Sequence, residues 1–222
     1  MAGQGHGKAT RRLPTRSSEA KRPATVERIL AAAESVFAER GLAGARIDAI
    51  ARAAHVNKAL LYYYFRSKEE LHRAALEALF GQLRQGTGDQ HFASPSEQVI
   101  GYVEGYFDFV AAHPNYPRLV QREVMGRGPG LSWIIHKYFR PLHRRLVASV
   151  RAGIAAGEFR PVDAQQTVLT LIAMTAFYFA AAPVLAELWQ CDPLSQMRVT
   201  ARRRAVLDFV EHGLFQGRMR TR

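Results

Sequence analysis

The chain has 222 residues, 48% of them apolar and 23% charged, with one cysteine, Cys191. That composition excludes disorder, collagen-like repeats and a disulfide scaffold, and a lone thiol leaves no pair for structural zinc. Lys and Arg number 31 against 19 Asp and Glu, a net charge of +12 that favours a polyanion, nucleic acid or acidic membrane, as partner. The unpaired thiol and the lack of an apolar leader before Ala24 read as a cytoplasmic protein.

Residues 1–23 are basic and poor in apolar side chains, and read as a disordered arm. From Ala24 the periodicity is helical almost throughout, so the chain is expected to be all-α. Val26, Ile29, Leu30, Ala33 and Phe37 place one helix over 24–40, stopped by Gly41. Short helices are expected from Ile47 to Ala54 and from Lys58 to Phe65, joined through His55-Val56-Asn57 in the manner of a helix-turn-helix. Ser67 caps a longer helix with Glu69 and Glu70 in its first turn, ending near Gly86.

Val99 to Val110 mark a helix closed by His113-Pro114, and Tyr116 to Met125 a shorter one. After the Gly-Pro loop at 126–130, a pattern from Ser132 to Ala156 contains Pro141, where a kink or restart is expected. Asp163 then caps an uncharged helix through about Leu188, and a last helix runs from Leu194 to Phe215. The uncharged stretch from Ala164 to Ala186 approaches bilayer length. Its Gln, Thr and Pro content favours a helix buried in a core or between subunits, so no membrane partner is expected.

The region from Asn57 to Leu71 carries the functional signal. Tyr62, Tyr63 and Tyr64 are consecutive, and at about 100° per residue they cannot all face one core. Beside Lys58 and Lys68, phosphate oxygens are natural acceptors. Through Lys68 the chain holds 13 basic and 5 acidic residues, so under a third of its length carries +8 of the charge and places the polyanion contact at the N-terminal end.

Ala54-His55-Val56, Leu61 to Phe65 and Ser67 to Leu71 resemble the recognition region of the tetracycline-repressor-like (TetR/AcrR) family of bacterial transcription regulators. The resemblance covers about residues 24–80. His55 stands where the family usually has glycine, Leu60 where threonine is common and Tyr64 where histidine is common. It implies a three-helix DNA-binding domain over 24–70, an effector-binding and dimerisation domain over 71–217, and a basic tail at 218–222. By position, Asn57 opens the recognition helix, Lys58, Ala59 and Leu60 face base edges, and Tyr62, Tyr63, Tyr64 and Lys68 hold phosphates. Arg46 reaches either. His55 is tolerable because histidine is enriched at positive φ.

A two-turn recognition helix reads few base pairs, and a dimer with helices about 34–36 Å apart reads a palindrome. A homodimer seam is therefore expected on the last two helices, from Val168, Leu169, Leu171, Ile172, Phe177 and Phe179 on one and Val199, Val206, Phe209, Val210 and Leu214 on the other. The resemblance also implies a small-molecule effector, with no other cofactor and no metal. Candidates for its site are Tyr102, Tyr106, Phe109, Trp133, His136, Phe139, Arg140, His143, Phe177 and Tyr178. His136, Arg140 and His143 are spaced to share a helix face and meet a ligand anion. The effector signal is expected to pass through the helix from Lys68 to Gln85, read as the sole link between head and core.

No Gly-x-Ser-x-Gly elbow, His-Glu-x-x-His pair or phosphate loop after a strand is present, so an enzyme is not expected. The reading is a ligand-responsive regulator, a repressor binding a palindromic operator. The alternative is a nucleoid-type protein that binds DNA without sequence preference.

Overall fold

The computed structural model describes residues 24–88, 92–125 and 130–216; the basic arm and the basic tail lie outside them. Helix α1 (Ala24–Gly44) buries Ile29, Leu30, Ala33, Val36 and Phe37, breaks at Gly41 (φ 67°) and adds one further turn. Helices α2 (Ile47–Ala53) and α3 (Lys58–Tyr64) follow, then α4 (Lys68–Gly88), whose Ser67 cap accepts from the Glu70 N–H at 3.0 Å. Ser94 caps α5 (Pro95–Ala112), and α6 (Tyr116–Met125) comes next. No strand forms among the described residues; Phe159 and Phe215 make one isolated bridge.

The expected restart at Pro141 takes a specific form. A short α7 (Leu131–Ile134) widens into a π-turn (Ile135–Phe139), and α8 (Arg140–Ala155) begins with the proline in its first turn, where its missing N–H is harmless. The single uncharged helix read from 164 to 188 is in fact two. Capped by Asp163, α9 (Ala164–Ala180) stops at Ala181, and α10 (Ala182–Trp189) departs at 67°. Pro183 cannot donate into the helix behind it, which makes the break. No single described helix is long and apolar enough to cross a membrane. The last helix is α11 (Gln196–Leu214).

Helix α5 is the axis of the larger part of the molecule, packed by α4, α8, α9 and α11. Its buried residues, Val99, Tyr102, Val103, Tyr106, Phe107, Phe109 and Val110, run most of the way round it, as a helix covered on several sides requires. α1 packs on both α4 and α6, so two helices rather than one join the DNA-binding end to the rest, correcting the sole link read for α4.

Gly86, read as the end of α4, lies inside it and does something else. Gly105 of α5 crosses it so closely that a Cβ on Gly105 would collide with the Gly86 carbonyl oxygen. The two backbones touch with no side chain between them. Gly105→Ala is expected to cost about 1–3 kcal/mol as overpacking does, visible as a lower urea midpoint; an unchanged midpoint would mean that α4 and α5 separate freely.

Candidate nucleic-acid interface and ligand cavity

The turn between α2 and α3 is held by its own backbone: Val56 N–H donates to Ala51 C=O at 3.0 Å and His55 N–H to Arg52 C=O at 3.1 Å. His55 sits at φ 54°, in the left-handed region that favours glycine. Asn57 caps α3, its Oδ1 accepting from the Leu60 N–H at 2.7 Å. Leu61 and Phe65 point into the core, Leu60 is half-buried, and Tyr64 is half-buried with its ring edge against Tyr63. Lys58, Ala59, Tyr62 and Tyr63 are exposed on one face at helical spacing, and Arg46 is exposed at the start of α2.

Two of the basic residues carry partners. Lys58 Nζ lies 2.9 Å from Asp48 Oδ1, both exposed. The hydrogen bond and the aspartate's charge hold the ammonium above its usual pKa, so Lys58 is cationic and DNA must compete with Asp48 for it. Lys68 turns away from the exposed face: its Nζ is 3.4 Å from Ala43 C=O and 3.3 Å from Ala45 C=O. A side chain at a helix start reaches back over the preceding segment, and here it ties α4 to the chain leaving α1.

A second tie comes from α6. Arg122 Nε donates to Ala38 C=O at 2.7 Å, and its terminal nitrogen donates to Glu39 C=O. These carbonyls belong to the last turn of α1 before the break at Gly41. Deeper in the same joint, His72 of α4 lies 3.1 Å from Glu123 of α6, both buried, with Phe37 edge-on to the imidazole at 4.7 Å. The Nε2–Oε1 contact lacks hydrogen-bond geometry, and neither His72 Nε2 nor the other carboxylate oxygen, Glu123 Oε2, has a hydrogen-bond partner among the described residues.

The other side of α6 lines a cavity of about 750 Å³, within the usual size for a small-molecule site. Of the residues read as effector contacts, Tyr102, Tyr106, Phe139, Arg140, His143 and Phe177 line it. Phe109, Trp133, His136 and Tyr178 do not. Phe109 packs on Tyr116 and His113, and Trp133 meets Tyr138 edge-on beneath the Lys137 ammonium. Tyr178 faces the opposite side of α9 and donates to Pro193 C=O. His136 is exposed within the π-turn, whose extra residue per turn breaks the face it was read as sharing with Arg140 and His143.

The wall missed from sequence is chiefly α6: Pro117, Val120, Gln121 and Val124. Their 0, 3, 4, 7 spacing was a visible signal, set beside a buried stripe of Tyr116, Leu119 and Glu123. Ala173, Ala176 and Ala180 of α9 leave the room that the cavity occupies. Burial lifts the hydroxyl pKa of Tyr102, Tyr106 and Tyr116 above the usual tyrosine value, and the Tyr106 and Tyr116 hydroxyls are hydrogen-bonded to each other.

Residues 95–210 match the profile described as the tetracyclin repressor-like C-terminal domain, and residues 29–75 that of bacterial regulatory proteins of the tetR family. The chain belongs to the TetR family. Membership makes it a DNA-binding transcription regulator rather than an enzyme, and a regulator of this type is favoured over a nucleoid-type protein. Among relatives, the HTH-type transcriptional repressor NicS of Pseudomonas putida is 31% identical over 157 residues, 69% of this chain and 67% of that one. The HTH-type transcriptional repressor SCO4008 of Streptomyces coelicolor is 35% identical over 153 residues, 68% of this chain and 76% of that one. The crystal structure of the transcriptional regulator SCO4942 from the same organism superposes with a TM-score of 0.67 at 29% identity, covering 86% of this chain and 98% of that one.

Anisotropy titrations at two salt concentrations distinguish the roles of these side chains in this TetR-family head. Asp48→Asn frees Lys58 and should strengthen binding to operator and scrambled DNA alike, steepening the salt slope by about one. Lys58→Ala should weaken operator binding more than scrambled binding. Lys68→Ala should lower the melting temperature together with the affinity for every DNA, and an unchanged melting temperature would return Lys68 to a purely phosphate-binding role.

Proposed function

We propose that this regulator is a homodimeric repressor that holds a palindromic operator when empty and releases it when a small molecule fills the cavity behind α6. The observation that carries this reading is the position of α6 itself. One side of the helix walls the cavity through Pro117, Val120 and Val124, and from the other Arg122 grips the end of α1. A ligand that displaces α6 by a fraction of an ångström also displaces the carbonyls that Arg122 holds, and with them the support of α2 and α3. α4 carries the same displacement through His72 and Lys68. Effector and operator then oppose each other through one linkage free energy, typically about 5–150-fold in affinity. The names of NicS and SCO4008 support repression as the sign of the response.

For the dimer, exposure sorts the residues read as the seam. Val168, Leu171, Phe179, Val206, Val210 and Leu214 are buried within the protomer, and Ile172 and Val199 are half-buried. A helix apolar on several faces spends one of them on its own core. Met197, Ala201, Ala205 and Phe209 remain exposed at four-residue spacing along α11, with Leu169 exposed on α9. Large residues flank small ones on this stripe, a surface suited to close packing against its symmetry mate.

Three measurements test the proposal. Fluorescence anisotropy with DNA flanking the protein's own gene, against scrambled DNA, should give tight, salt-sensitive binding with a strong preference for a palindromic segment; equal binding to both would remove the operator reading. Phe209→Asp should cost the dimer about 2 kcal/mol or more, as loss of a central interface aromatic does, and shift sedimentation toward monomer with a parallel loss of operator affinity. Arg122→Ala should cost about 0.5–1.5 kcal/mol of stability by removing the hydrogen bonds to a part-buried and an exposed carbonyl, and should blunt operator release by a cavity-filling ligand. Release at the wild-type ratio would route the coupling through α4 alone.

A further inference from the structure

The cavity carries a charge pattern that limits what it holds. No aspartate or glutamate lines it. Its one arginine is at the rim: Arg140 is exposed with no acidic partner among the described residues, and the half-buried imidazole of His143 lies on the same wall. Of the neighbouring cations on this stretch, Lys137 is engaged with Glu77 and Arg145 with the Thr87 carbonyl. At the closed end stand the buried hydroxyls of Tyr102, Tyr106 and Tyr116. Burial keeps them protonated, so they offer hydrogen bonds and no negative charge. Between rim and closed end the wall is apolar, from Leu83, Val120, Phe139 and Ile172, and the alanines of α9 keep it open.

We infer, on the reading of this cavity as the effector site, that its occupant is an apolar monocarboxylic acid lying with its body among these side chains and its carboxylate at Arg140 and His143. The orientation follows from solvation. A carboxylate driven to the tyrosine end would lose water and gain no cation, whereas at the rim it keeps part of its hydration and meets a guanidinium whose planar donors match its oxygens. A quaternary ammonium is the chemical opposite to exclude. The rings of Tyr102, Tyr106, Phe139 and Phe177 would attract one, but Arg140 at the mouth repels it and no carboxylate compensates.

Isothermal titration of the full-length protein with dodecanoate, dodecanol and dodecyltrimethylammonium, each below its micelle-forming concentration, tests the class. Dodecanoate should bind one per protomer, about fivefold or more tighter than dodecanol, the strength of a charge-assisted hydrogen bond discounted for Arg140's exposure. The ammonium should bind weakest. Arg140→Gln should bring the acid and the alcohol to within about twofold of each other, since only the charged contact is lost. Ala176→Phe, which fills the space, should abolish dodecanoate binding; Ala173→Phe on the exposed part of the same wall replaces it where that variant fails to fold. Absence of dodecanoate binding, a tighter alcohol or ammonium, or an acid preference that survives Arg140→Gln would overturn the inference. Dodecanoate binding that Ala176→Phe blocks but that leaves operator affinity unchanged would keep the acid class and overturn the effector reading instead.

Discussion

The end of α1 is the constraint on which the rest of the molecule depends. A helix that stops leaves its last carbonyls without partners, and Gly41 stops this one beneath the DNA-reading helices. Donors come from elsewhere in the fold: Arg122 of α6 serves Ala38 and Glu39 before the break, and Lys68 of α4 serves Ala43 in the added turn and Ala45 just past it. A local need for hydrogen bonds thus becomes the mechanical connection between head and body. α2 and α3 add few contacts of their own to the body, so their orientation is inherited from how α4 and α6 hold that one helix end.

The joint is polar where most helix packing is apolar. His72 and Glu123 are buried beside each other against Phe37, without the hydrogen-bond geometry that would satisfy both. Buried polar groups of this kind add little net stability compared with apolar replacements. They sit where α1, α4 and α6 meet, and an incompletely satisfied pair there leaves the three helices less firmly bound to a single arrangement than an interdigitated apolar contact would.

Much of this was legible in the sequence, because the signals that specify it are local. Ser67 and Asp163 announced helix starts through short side chains that accept from the backbone, and each does so. His55 was readable as a positive-φ residue for the same reason. What stayed hidden depends on the third dimension. Val168 and Leu169 are adjacent and equally apolar, yet one is in the protomer core and the other in solvent. Lys68 read as a phosphate ligand because its charge is visible in sequence, while the carbonyls of Ala43 and Ala45 that engage it are not. The π-turn at 135–139 inserts a shift that heptad-like spacing cannot anticipate, which removed His136 from a face it was counted on.

The contact between Gly86 and Gly105 gives α4 a fulcrum. Ordinary helix pairs lock by lodging side chains in each other's grooves, which resists both sliding and tilting. Here two backbones meet bare, so nothing wedges the crossing angle at that point. From Gly86 to Lys68 the helix is a lever about 27 Å long at 1.5 Å per residue. A tilt of about 5° at the crossing moves the head end by about 2 Å on that arm, comparable to the reach of a single hydrogen bond. Rotation too small to disturb the core is thereby enlarged to the scale on which a recognition helix gains or loses its contacts with a base pair.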